Sequence, residues 1–212
     1  MIDEDLLKAS GAKQCQFKTG EALFKEGDRC QYYHQIAQGA VRWVNTNHDG
    51  EEYLQYLAES GESIGEFPLF DEGVYAASAI AVVPTTVWRL PKSRFLHLLR
   101  EHPDIHFAFS ALLVKRLRFK FFLMKEIASH EPRQIVLSLI NYLKRTSQHI
   151  CMECGQILLT RRQIAEMTGM RVETVIRAMR QLNDQGLIAI LDRKAYCEGS
   201  KGCVPGTCKT HG

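Results

Sequence analysis

LTRRQIAEMTGMRVETVIRAMRQLNDQGLIAI, residues 159–190, is the most informative stretch of the chain. Thr160 with Gln163 three residues later forms a capping box, opening a helix that turns Ile164 and Ala165 inward. Gly169 supplies a turn, and a second helix starts near Val172. There Val175, Met179 and Leu182 recur at spacings of four and three, which gives one buried stripe. Glu173, Arg177 and Arg180 fall on another face, and Gly186 ends the helix. Two short helices around a glycine turn, the second presenting Glu and Arg, match the way a helix-turn-helix enters a major groove. Arg donates two hydrogen bonds to guanine, and Glu accepts one from the amino group of cytosine. Spacing alone favours an ordinary helical hairpin with a solvated charged face, because short motifs are weak signals.

The surrounding chain narrows the choice. A length of 212 residues allows one large or two modest domains with an ample core. Charge is unevenly spread: residues 1–110 hold 10 Lys+Arg against 16 Asp+Glu, a net of −6, and residues 111–212 hold 17 against 8, a net of +9. A basic carboxy-terminal half is the electrostatic footprint of a phosphate-binding module, and the acidic front half carries no such duty. The first ten residues, MIDEDLLKAS, lack the basic-then-apolar pattern of a signal peptide, and no apolar run approaches membrane-spanning length. These features predict a cytoplasmic protein without a membrane partner. Thiols stay reduced in that compartment, so the seven cysteines read as ligands or core residues and not as disulfides.

From about Gln14 to Pro91 the pattern is one of short strands separated by glycine turns. FKTG ends at Gly20, FKEGD contains Gly27, IAQG ends at Gly39, and Asp49-Gly50 is a hairpin turn. This spacing predicts a β-barrel or jelly roll. Pro103 to about Ser129 reads as one long helix. Its expected apolar stripes are Ile105, Phe109, Leu113, Leu117, Met124 and Ile127 on one face, and Ala108, Leu112, Phe119 and Phe122 on another. Lys115, Arg116, Arg118 and Lys120 are expected on a solvated face. His130-Glu131-Pro132 breaks the helix and starts the next, residues 133–145. His34, His48, His97, His102 and His106 show no metal-ligand spacing, and none is assigned as a ligand.

Cysteine placement is the remaining signal. Cys15 and Cys30 stand alone and read as packed thiols. Cys151, Cys154, Cys197, Cys203 and Cys208 crowd into 58 residues. Residues 187–196 read as a β-wing, and in a winged helix the strand before the motif, here residues 156–159, pairs with the wing. The tail YCEGSKGCVPGTCKTHG has almost no apolar residues and needs a reason other than a core to be ordered. Four thiolates on an iron–sulfur cluster, expected of the four-iron type, would supply one, and zinc is the alternative ion.

The string TRRQIAEMTGMRVETVIRAMRQLNDQGLI closely resembles the helix-turn-helix of the CRP/FNR family of bacterial transcription regulators. KEGD, the Gly39 turn, GESIGEFPLF and VWRLPKSRF look like that family's sensor domain, so the resemblance covers nearly the whole chain. It implies an α+β protein: a barrel or jelly-roll sensor domain at residues 1–100, a dimerisation helix at 101–130, and a winged helix-turn-helix domain with a Cys-rich tail at 131–212. It also implies a homodimer on double-stranded DNA, with RNA polymerase as a partner. Glu173-Thr174-Val175-Ile176-Arg177 corresponds to the family's recognition core. Val172 is the residue FNR-type members have at that point, which implies an inverted repeat of TTGAT-type half-sites with Glu173 and Arg177 reading the inner G·C pair. Arg161, Thr174, Ile176 and Arg180 complete the expected DNA contacts. Two departures stand out: Ile176 replaces a small polar residue, and Arg171 replaces the usual Ser/Thr cap.

Relatives that bind cyclic AMP pair an Arg with the cyclic phosphate and a Glu with the ribose hydroxyl. This chain keeps Gly65 and Glu66 but has Ala76 and Ala77 where Arg and Ser would fall. No Arg lies between Arg42 and Arg89, so a cyclic phosphate would lack its charge-assisted partner. The resemblance therefore implies a degenerate effector pocket. Some FNR-type regulators hold an oxygen-sensing cluster on amino-terminal cysteines and others on a carboxy-terminal group, and this chain has only something like the second. The expected function is a homodimeric regulator responsive to redox state, oxygen or nitric oxide. A small-molecule-responsive regulator with structural zinc or no metal is the alternative. A thiol–disulfide enzyme using Cys151 and Cys154 is set aside because no βαβ pattern surrounds them, and nothing else predicts an enzyme.

Overall fold

The computed structural model describes residues 1–197. It divides into two compact units, Met1–Arg116 and the segment from Leu117 onward.

The first unit opens with helix α1 (Glu4–Ala9), whose first turn is capped by the Asp3 carboxylate accepting from the Asp5 and Leu6 amides. Eight strands follow: β1 (Lys13–Phe17), β2 (Ala22–Phe24), β3 (Tyr32–Gln38), β4 (Ala40–Thr46), β5 (Glu52–Glu59), β6 (Ser63–Ile64), β7 (Ser78–Ala81) and β8 (Thr85–Pro91). They form two four-stranded antiparallel sheets, ordered β1-β8-β3-β6 and β2-β7-β4-β5, as the jelly-roll expectation requires. The β4–β5 hairpin turns where Asp49-Gly50 predicted. Gly50 takes φ +80°, and the Asn47 side-chain carbonyl accepts from the Asp49 and Glu51 amides to hold the turn.

Helix α2 (Phe67–Asp71) interrupts the strands, and α3 (Lys92–Glu101) follows β8. One part of the core gathers Tyr33, Leu90, Phe95, Leu98 and Phe109, and another gathers Phe24, Ile36, Val41, Trp43 and Ile64. His34 sits inside the barrel, where burial and the nearby Arg89 charge lower its pKa to about 3. It is a neutral core side chain.

Helix α4 spans Pro103–Ser129, as expected, but its buried row differs from both predicted stripes. Phe109, Arg116, Phe119, Leu123 and Glu126 are buried, whereas Leu117, Met124 and Ile127 are 55%, 67% and 43% exposed. The inward row runs at helical spacing only if two charged residues are counted in it. Arg116 was assigned to a solvated face and instead lies inside the first unit. Lys115 and Arg118 are exposed, and Lys120 is half-buried, with its pKa pulled down to about 8 by desolvation.

In the second unit, helix α5 (Pro132–Thr146) starts on its proline and buries Ile135, Val136, Leu139, Ile140 and Leu143. Helices α6 (Arg161–Thr168) and α7 (Val172–Asp184) follow, then the antiparallel wing β9 (Ile188–Leu191) and β10 (Lys194–Cys197). Residues 156–159 do not form the predicted strand. They make isolated bridges, Ile150 with Ile157 and Gln156 with Tyr196, and the Ile157 amide donates to the Ala195 carbonyl at 2.8 Å. The expected pairing with the wing is present, but it is too short for a continuous ladder.

Candidate functional site

Thr160 caps α6 as predicted: its hydroxyl accepts from the Gln163 amide at 3.1 Å, and the Gln163 side chain accepts from the Thr160 amide at 2.8 Å. Gly169 ends α6 at φ +67°, a conformation that costs glycine nothing sterically. Helix α7 packs on α5 and α6 through Val175, Ala178, Met179 and Leu182. This i, i+3, i+4, i+7 row turns the opposite face outward. Glu173, Arg177 and Arg180 are exposed on that face, and Thr174 and Ile176 are half-buried beside them. Among the described residues none of the three charged side chains is held in an ion pair, so all are available to a ligand. Arg171 stands at the N-cap without a side-chain cap bond, and its carbonyl accepts from the Thr174 and Val175 amides.

Arg161 is placed differently from the other expected contacts. Its Nη1 donates to the Arg193 carbonyl at 2.8 Å, tying the start of α6 to the wing turn. That turn puts Asp192 and Arg193 at φ +47° and +65° without a glycine. The Asn183 side-chain carbonyl accepts from the Ile190 amide at 2.9 Å, a second tie between α7 and the wing. Arg193 and Lys194 are exposed on the wing. Their charge was visible in LDRKAY, but only the hairpin fold sets them at its tip.

The effector-pocket region belongs to the first unit. Gly65, at φ +72°, lies so close to the stacked rings of Phe24 and Tyr75 that no side chain fits there. It leads β6 into Glu66, which is fully buried. Glu66 Oε1 receives Nη1 of Arg116 from α4, and Arg116 Nη2 donates to the Ser63 carbonyl at 2.8 Å. The guanidinium also lies 4.4 Å above the Tyr56 ring. Tyr56 in turn donates to Glu62 at 2.5 Å. Burial lowers the Arg116 pKa, and Tyr56 and Glu62 act in the opposite direction. Ala77 is buried and Ala76 is exposed. Their carbonyls accept from Trp43 Nε1 at 3.0 Å and Asn45 Nδ2 at 2.7 Å.

Cys154 and Cys197 are buried, and Cys151 is half-buried. The Cys197 amide donates to the Gly155 carbonyl at 2.9 Å, which sets Cys197 beside the Cys151–Cys154 turn. Among the described residues no three His, Cys, Asp or Glu side chains form a group that could hold a metal ion. Cys203 and Cys208, the other two expected ligands, lie outside the described residues. Burial raises the Cys197 pKa, opposed by Lys144. Cys30 donates to the Tyr32 carbonyl at 3.4 Å, and Cys15 lies 3.8 Å from Arg89 Nη1.

Residues 14–102 match the cyclic nucleotide-binding domain family, and residues 136–197 match the Crp-like helix-turn-helix domain family. The cyclic AMP receptor protein of Thermus thermophilus is 30% identical over 176 residues, spanning 82% of this chain and 78% of that protein. The chain belongs to the CRP/FNR family. The cAMP-activated global transcriptional regulator CRP of Pasteurella multocida is 27% identical over 188 residues, spanning 88% and 90% of the two chains. The structure of FixK2 from Bradyrhizobium japonicum has the same fold, with a TM-score of 0.73 at 22% identity, covering 88% of this chain and 92% of that one.

As a CRP/FNR-type DNA-binding transcription regulator, the chain combines a cyclic-nucleotide-binding-type sandwich with a winged helix-turn-helix. No helix among the described residues is long and apolar enough to cross a membrane. What sequence reasoning missed in this CRP/FNR chain is Arg116. It sits among Lys115, Arg118 and Lys120, so its burial was hidden within what reads as one solvated basic face.

Proposed function

We propose that the chain acts as a homodimer that reads an inverted repeat of TTGAT-type half-sites, with Glu173 and Arg177 on the inner G·C pair. The observation that carries this reading is the exposed face of α7, where both side chains stand unpaired on a helix anchored by four buried apolar residues. Arg180, Thr174 and Ile176 flank them, and Arg161 contributes by fixing the wing. Pairing of two chains is supported by α4, whose Val114, Leu117, Phe121 and Met124 are all at least half exposed at spacings of three, four and three. Arg177→Ala is expected to weaken operator binding by about 1–3 kcal/mol and to leave binding to unrelated duplex nearly unchanged. Titration of both duplexes at one salt concentration measures this. Equal loss on both would remove the base-reading role.

We also propose that four of Cys151, Cys154, Cys197, Cys203 and Cys208 hold an iron–sulfur cluster of the four-iron type, with zinc as the alternative, and that oxygen or nitric oxide alters operator affinity through it. The support is the backbone pairing that sets Cys197 beside the Cys151–Cys154 turn. Protein isolated without oxygen is expected to be brown, with iron and acid-labile sulfide that Cys203→Ser removes. Colourless protein with stoichiometric zinc would make the site structural, and free alkylation of all five thiols would remove it.

A further inference from the structure

Helix α7 carries an apolar feature beside its charged row. Val172 and Ile176 stand four residues apart near its start, both half-buried, and both lie outside the row of Val175, Ala178, Met179 and Leu182 that anchors the helix. At about 100° per residue, Ile176 lies about 60° from Glu173 and about 40° from Arg180, so it borders the exposed charged face. Val172 lies one turn earlier on the same side, and the two make an apolar ledge along Glu173, Arg177 and Arg180. Thr174 borders the opposite side of that face. Both ledge residues are β-branched, and in a helix each holds essentially one χ1 rotamer, so the ledge is preformed. The first residues of a recognition helix are those that approach base edges. The one apolar group that distinguishes a base in the major groove is the C5-methyl of thymine.

We propose that Val172 and Ile176 form a methyl-reading ledge that selects thymine at the T·A pairs adjoining the G·C pair contacted by Glu173 and Arg177. The position of those pairs rests on the reading of Glu173 and Arg177 above. Two features favour a reading role over packing at the rim of the core. Neither side chain is among the buried residues, although the rest of the apolar row of α7 is. The ledge is also continuous with the charged face, so a duplex held by Arg177 brings the neighbouring bases against Ile176. A polar base edge in that place would lose solvent without gaining a hydrogen bond, whereas a methyl group loses nothing. Glu173 and Arg177 thus read by hydrogen bonds, and the ledge reads by apolar contact.

The test removes single methyl groups from the DNA. Duplexes enriched by the full-length wild type from a randomised pool are the probe, and thymine is replaced by deoxyuridine at one position at a time. This exchange deletes the C5-methyl and keeps every hydrogen-bonding group of the base. Wild-type affinity is expected to fall about fourfold per methyl removed, at one or two adjacent positions of each half-site. Ile176→Ala should bind the thymine duplex more weakly and should no longer distinguish it from the deoxyuridine form at one of those positions. Indifference of the wild type to deoxyuridine at every thymine overturns the proposal, and that arm needs no variant to fold. An Ile176→Ala protein that still loses about fourfold at each sensitive position overturns it too, because the methyl is then read elsewhere. An enriched repeat with no thymine beside its G·C pair discards the ledge and keeps the reading of Glu173 and Arg177. Deoxyuridine sensitivity that Ile176→Ala removes, with Arg177→Ala losing equally on operator and unrelated duplex, keeps the ledge and discards the reading of Arg177. A pool from which no sequence is enriched discards both.

Discussion

Phe109→Ala is expected to destabilise the first unit by about 3–5 kcal/mol, a large share of the stability of a typical domain. Phe109 is fully buried where α4 meets the barrel. Its ring lies edge-on to Phe95 at 5.2 Å and 84°, and to Tyr33 at 5.6 Å and 78°. Phe95 and Tyr33 are themselves stacked at 4.6 Å, so the three rings form a closed cluster that cannot relax easily into the space left behind. Both the lost apolar transfer and the residual cavity contribute. Denaturant unfolding followed by circular dichroism measures the change. Phe109→Leu should cost markedly less, because most of the volume is kept. A loss below about 1 kcal/mol for the alanine variant would mean that α4 is not anchored through this ring.

Leu117→Glu/Phe121→Glu is expected to leave each chain folded but to weaken self-association by about a thousandfold. Leu117 and Phe121 are 55% and 65% exposed in the single chain, so their replacement disturbs little internal packing. In a two-fold pairing along α4 each new carboxylate would meet its own symmetry mate or a desolvated apolar neighbour, a like-charge and burial penalty of several kcal/mol. Sedimentation should show monomer at concentrations where the wild type is dimeric. Operator binding should drop with it, because a single recognition helix reads only half of an inverted repeat. A variant that remains a tight dimer would place the interface elsewhere.

The winged domain was legible almost residue by residue. The Thr160 capping box, the Gly169 turn, the buried row of α7 and the Gly186 exit all depend on contacts within a few positions, and the structure places each where local chemistry predicts. The strand-rich first unit was legible as a class, because glycine turns and short alternating runs are local signals. Its sheet order was not, since β1-β8-β3-β6 pairs strands as far apart as Lys13 and Arg89. The segment before the motif is expected as a strand because a winged helix pairs such a strand with its wing. It forms only bridges, because the short wing offers few partners.

The long helix marks the boundary between what the sequence determined by itself and what only the tertiary structure decided. Its limits follow from Pro103 and from the His130-Glu131-Pro132 break, both local steric constraints. Which face it buries does not follow from apolar spacing, because the inward row contains Arg116 and Glu126. A charged side chain is counted as outward-facing unless a partner is known, and the free energy of burying it depends almost entirely on that partner. For Glu126 a neighbouring group lies four residues on, with His130 Nδ1 at 3.3 Å from its carboxylate. For Arg116 the partner is Glu66, placed by the Gly65 turn between β6 and α2, 50 residues away in the chain. No pattern within α4 encodes that meeting, and it exists only once the barrel has closed around it.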